Sequence, residues 1–70
     1  MSAQRDPRTD PRQGDRITVA DETREVELVR GGRVYYSWPG RLAVRSMFAS
    51  SWEAWSANAT EVVAAPEAGG

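Results

Sequence analysis

The sequence predicts a small, mainly β domain: a strongly bent antiparallel sheet of four or five strands, closed at one side by one short C-terminal helix. Three observations carry that expectation. Between Arg24 and Ser46, apolar and polar residues alternate with a period of two, the pattern of a sheet with one buried face. Turn signals at Gly31-Gly32 and Pro39-Gly40 cut the alternation into strands. Beyond Ser46 the period changes, with Phe48, Trp52 and Trp55 spaced four and three apart on one helical face.

Taken in order, residues 1–9 read as a disordered leader. They are polar, and proline at 7 and again at 11 biases its predecessor away from helix. An imperfect repeat, Asp6-Pro7-Arg8 then Asp10-Pro11-Arg12, leaves a second reading open: an arm that contacts a partner through Arg8 or Arg12. Residues 10–64 form the single β domain. Its first strand is Arg16 to Ala20, with Ile17 and Val19 inward, followed by a polar turn at Asp21-Glu22-Thr23. The second strand, Arg24 to Arg30, points Val26 and Leu28 inward, with Val29 on the opposite face or at a bulge near Gly31. Two adjacent glycines accept positive φ and suit a type I′ or II′ hairpin. The third strand, Arg33 to Trp38, points Val34, Tyr36 and Trp38 inward. Pro39 fixes φ and Gly40 takes the left-handed position of a second turn, after which Leu42 and Val44 complete the fourth strand. The helix covers about residues 48–58, with two competing starts: Ser46 opening a turn, or a capping box of Ser50 and Glu53. So short a helix is unstable alone, so its tryptophan face is expected against the sheet. Residues 60–64 are expected to return as a short fifth strand, and 65–70 read as a disordered tail.

Composition limits the chemistry. A chain of 70 residues buries only about 60% of its unfolded surface, leaving little stability to spare. With no cysteine and no histidine, disulfides and the usual zinc and iron–sulfur sites are excluded, and no EF-hand-like acidic loop appears. No cofactor is expected. The bulk of a core must come from three tryptophans, two tyrosines and one phenylalanine, each able to bury roughly 150–250 Å². All nine basic residues are arginine; residues 1–45 carry a net charge of +2 and residues 46–70 carry −3. The total of −1 argues against a strong non-specific nucleic-acid binder but leaves room for a local arginine patch. The first residues hold no apolar signal region and no window approaches the roughly 20 apolar residues of a membrane span, so a cytoplasmic location without membrane contact is expected.

The order of four strands, a short helix and a further strand resembles the SH3-like small barrels. The element Asp10-Pro11-Arg12-Gln13-Gly14-Asp15 and the helical Ser51-Trp52-Glu53-Ala54-Trp55 are similar to those of a group of small phage and prophage proteins of GC-rich bacteria. That resemblance spans most of residues 10–58. The group carries no established activity, so the resemblance implies an accessory role in a phage or mobile element and no catalytic residues. The helix is longer than the barrel pattern allows, which leaves open whether the sheet closes or packs on the helix.

Without histidine, cysteine or lysine, the common nucleophile–base pairs are absent, and the chain reads as no enzyme. Glu25 and Glu27 are expected to share a strand face about 6–7 Å apart, a spacing open to two-carboxylate chemistry, but they read more simply as the solvated side of an amphipathic strand. A binding face is the stronger candidate. Arg33 and Tyr35 are expected on the outward side of the third strand, with Arg41 and Arg45 beside them on the fourth. Such a face suits a protein partner, or bases and phosphates in a weak nucleic-acid-binding barrel. Tyr36, Trp38, Phe48, Trp52 and Trp55 are candidate core or interface aromatics, and exposed tryptophan would mark a partner groove or a self-assembly seam. The leading expectation is a non-enzymatic protein-binding accessory factor; the alternatives are the nucleic-acid module and a self-assembling structural subunit.

Overall fold

The structure, a computed structural model, describes residues 5–66. It contains strands β1 (Arg16–Val19), β2 (Glu22–Arg30), β3 (Arg33–Ser37) and β4 (Val44–Phe48), helix α1 (Ala49–Ser56), and strand β5 (Glu61–Val63). The strands form one antiparallel sheet in the order β4-β3-β2-β1-β5. Three hairpins build the meander. α1 then carries the chain from the β4 edge to the opposite edge, where β5 pairs with β1 through Thr18↔Glu61, Ile17↔Val62 and Arg16↔Val63.

The expected bent sheet with a C-terminal helix is present, but the SH3-like small barrel is not. β4 and β5 are opposite edges and do not pair, so the sheet stays open. The reason is volume. Trp52 is fully buried on α1 and Trp55 packs beside it, filling the space that closure of the sheet would need. The core gathers Ile17, Val26, Val34, Tyr36 and Trp52, with Val19, Trp38, Met47, Trp55 and Ala59 packed around them. Aromatic contacts run through it: Tyr36 meets Trp38 edge-on at 5.4 Å, Trp52 at 5.8 Å, and Trp52 meets Trp55 at 5.2 Å. The Arg24 guanidinium lies over the rings of Tyr36 (4.6 Å) and Trp55 (4.1 Å), while its Nε donates to Glu22 at 2.8 Å.

The turns follow their chemistry. Gly31 and Gly32 both have positive φ (59° and 76°), as a type I′ hairpin requires. Gly40 at φ 84° and a 2.9 Å bond from Arg41 N to Trp38 O give the Pro-Gly turn its type II character. The β1–β2 hairpin differs from expectation, since Glu22 and Thr23 already belong to β2 and the turn is Ala20-Asp21. Ala20 there takes φ 55°, a left-handed conformation that costs an L side chain free energy.

Three side chains, in two parts of the sheet, also depart from the sequence reading. The β2–β3 register shifts between Val26 and Leu28, so Glu27 is a bulge residue. One extra residue reverses the phase of a period-two strand, and Leu28, expected inward, is 44% exposed on the other face. In β4 the expected inward residues Leu42 and Val44 are not in the core: Leu42 precedes the strand and is fully exposed, and Val44 is 54% exposed. β4 starts later because Trp38 leaves β3 to pack on Tyr36, so residues 38–43 form the connection and Met47, opposite Val34, supplies the inward contact. Neither Ser46 nor Ser50 caps α1. Its N-cap is Phe48, without a side-chain bond, and the Ala49 N–H instead donates to Gly32 O at 2.9 Å. The sheet thus satisfies the first of the backbone donors that the helix start leaves without an intrahelical acceptor.

Residues 5–9, assigned by sequence to the leader, carry packed contacts. Pro7 is buried and its carbonyl accepts the Trp52 indole N–H at 3.1 Å. Both terminal nitrogens of Arg5 donate to the Asp15 carboxylate, which is fully buried and also accepts the backbone N–H groups of Arg12 (2.8 Å) and Ala65 (2.7 Å). Burial alone raises the Asp15 pKa, but the bonds from Arg5, Ala65 and Arg12 outweigh it and hold the carboxyl below its ordinary value. The repeat is equally local: Arg8 pairs with Asp6 at 3.0 Å and Arg12 with Asp10 at 3.4 Å. Residues 1–4 and 67–70, parts of the expected leader and tail, lie outside the described residues.

Candidate binding face and sheet edge

Because directly opposed residues share a face, the register sorts the sheet into two sides. α1 and the arm cover the side bearing Ile17, Val26, Val34 and Tyr36. The other side is bare. Across it run the rows Arg30–Arg33–Phe48, Leu28–Tyr35–Ser46 and Arg16–Glu25–Ser37–Val44. Leu28, Val44 and Phe48 are about half exposed (44%, 54% and 57%), Tyr35 is half-buried between Leu28 and Ser46, and the Arg33 guanidinium lies 4.4 Å from the Phe48 ring centroid. These form an apolar strip with a basic end at the Gly31-Gly32 turn.

Of the four residues expected to share one binding face, the structure brings together only Arg33 and Tyr35. Arg45 opposes Tyr36 and so lies on the helix side of the edge strand, where it is exposed. Arg41 belongs to the connection between β3 and β4, at the far end of β3 from Arg33. The later start of β4 caused both misplacements. The candidate aromatics also divide: Tyr36 and Trp52 are core, Trp38 and Trp55 are half-buried against it, and Phe48 alone is exposed on the bare face. Arg30 was missed by the sequence reading, although a two-residue turn at Gly31-Gly32 necessarily sets residues 30 and 33 opposite each other. Leu28 was missed because the bulge, expected at Val29 near Gly31, falls at Glu27 instead and reverses the phase before Leu28.

The charge distribution is uneven in a way that matters for binding. Five arginines, at 5, 8, 12, 16 and 24, form ion pairs with carboxylates. Arg30, Arg33, Arg41 and Arg45 form none among the described residues. From Leu28 to Trp52 the chain contains these four arginines and no aspartate or glutamate.

Elsewhere the chemistry is structural. Glu25 accepts from Arg16 Nε at 3.0 Å and Glu27 accepts the Ser37 hydroxyl, so each carboxylate is engaged. An open cleft of about 530 Å³ lies between the β1–β2 turn and the Trp38-Pro39 connection, lined by Arg16, Arg41, Asp21 and Glu22 among others. Glu22 accepts Arg24 Nε and the Trp38 indole N–H (2.8 Å each), and these bonds hold its pKa low against a smaller effect of burial. No group of metal-ligating side chains converges among the described residues, and no helix there is long and apolar enough to cross a membrane. No family model matches the chain, and neither a curated protein nor a solved structure shows significant similarity to it.

Proposed function

We propose that this chain is a non-enzymatic protein-binding module whose contact surface is the bare face of the sheet. The observation that carries the reading is the strip of Leu28, Tyr35, Val44 and Phe48 ending in Arg30 and Arg33, set on a rigid sheet whose other face is fully used by the core. Aromatic residues and arginine are the types enriched at protein interfaces, and the half-exposed leucine and valine beside them add apolar area. Lack of histidine, cysteine and lysine supports a role without catalysis. A phage or other mobile element is the setting we assign to it, resting on the motifs at 10–15 and 51–55 and readable from neighbouring genes.

The test is affinity capture from cells that express the protein, with Leu28→Ser/Phe48→Ser as the control bait. Specific partners recovered by the wild type and lost by the folded double variant support the reading. A partner set unchanged by the double substitution, or none at all, overturns it. Titration with short single-stranded DNA and RNA at low and high salt addresses the nucleic-acid alternative, whose binding would weaken steeply as salt rises.

A further inference from the structure

We infer that the free edge of β4 takes an acidic, extended segment of the partner protein as an additional strand of the sheet. This rests on the protein-binding reading and specifies the chemistry of the partner. Three features lead to it. β4 is the outer strand of the sheet, so one side of its backbone has no strand to bond among the described residues. The bond from Ala49 N to Gly32 O fixes which groups are involved. In an antiparallel ladder the backbone groups of successive residues alternate sides, so those of Arg45 and Met47 face β3, and the N–H and C=O of Val44, Ser46 and Phe48 face outward. An incoming strand therefore meets a ladder of ready donors and acceptors, the mode of recognition by strand addition.

Side chains flanking that edge set the preference. Arg45 lies on the helix side of β4, while Val44 and Phe48 lie on the bare side with Arg33 stacked on Phe48. Among the described residues none of Arg30, Arg33, Arg41 and Arg45 has a carboxylate partner, and the whole stretch from Leu28 to Trp52 holds no acid. An added strand with carboxylates on the Arg45 side and β-branched residues on the Val44–Phe48 side satisfies both faces. A second copy of this chain fits less well, because pairing two β4 edges brings two sets of unpaired arginines together. The opposite edge, β5, is only three residues long and carries Glu61, so it lacks both the length and the charge.

The probe is a terminally blocked peptide of about six residues alternating glutamate and valine, with lysine replacing glutamate as the control. Binding is followed by amide chemical shifts of the full chain. The expected result is perturbation centred on β4, with affinity about tenfold or more weaker for the lysine peptide and at raised salt. Ser46→Pro removes an outward N–H without touching the β3 ladder and is expected to abolish binding, whereas Ser46→Ala retains it. If Ser46→Pro fails to fold, Arg45→Glu gives an independent reading: it should reverse the preference toward the lysine peptide. No binding at millimolar glutamate peptide, equal binding of both peptides, shifts centred away from β4, or an oligonucleotide that competes for β4 overturns the inference. So does a concentration-dependent dimer through β4 that the peptide cannot dissociate. Peptide failure with partner capture still dependent on Leu28 and Phe48 removes the strand addition alone and leaves the bare-face reading standing.

Discussion

Replacing Asp15 by asparagine is expected to cost this domain a large part of its stability. The side chain is fully buried and ties the nearby Arg12 amide to Arg5 of the arm and to the Ala65 amide, fifty residues away. Asparagine keeps one acceptor oxygen but points an N–H₂ group at donors, and it removes the negative charge that faces the Arg5 guanidinium, a side chain only 9% exposed. Removing one member of a buried pair costs about 3–5 kcal/mol; because the Arg5 guanidinium also donates to the Asp10 and Ala65 carbonyls, the lower end, about 3 kcal/mol, is appropriate. A chain this size has about 4–10 kcal/mol in total. The expected shift is about 10–20 °C in Tm, measured by thermal unfolding with near-ultraviolet circular dichroism. The pH dependence provides a second readout. Since the folded Asp15 pKa lies below its unfolded value, its contribution is fully present above about pH 4–5 and lost as pH falls through the folded pKa. The wild type is therefore expected to lose stability in acid more steeply than Asp15→Asn. A variant melting within about 3 °C of wild type, with an unchanged acid limb, would refute the clamp.

Other outcomes follow from the same packing. Trp52→Phe deletes the indole donor to Pro7 O and leaves a void at the centre of the core, so denaturant titration is expected to show a loss of about 2–4 kcal/mol. Leu42→Ser removes a large apolar side chain that touches nothing in the core, and its unfolding free energy should stay within about 0.5 kcal/mol of wild type. Ala20→Gly relieves the left-handed conformation in the β1–β2 turn and is expected to raise stability by up to about 1 kcal/mol in the same assay.

The hairpins were legible because their turn residues have few alternatives: Gly31-Gly32 and Pro39-Gly40 fix two reversals by backbone chemistry alone. The helix was legible from the spacing of Phe48, Trp52 and Trp55, although Phe48 turned out to end β4 rather than anchor α1. The phase of a strand beyond a bulge was not. Glu27 looks like any outward residue of an amphipathic strand, and only the register against β3 shows that it displaces Leu28 to the bare side. Arg45 was misassigned for a related reason, since the length of the connection after Pro39-Gly40 decides which residues of β4 oppose Tyr36 and Val34. The arm was obscure because polarity and proline describe its local preferences, whereas its order comes from distant partners, Asp15 and Trp52. Arg33 and Tyr35 were found by alternation, while Leu28 and Phe48 required the observed register.

An open sheet with β4 as its free edge is the feature on which the binding surface depends. The most direct measurement is a set of cross-strand proton contacts by nuclear magnetic resonance, combined with amide exchange along β4. Contacts between Thr18 and Glu61, none between β4 and β5, and faster exchange at Val44, Ser46 and Phe48 than at Arg45 and Met47 are the expected result. Contacts linking β4 to β5, with protection at Ser46 equal to that at Arg45, would mean a closed barrel and contradict it.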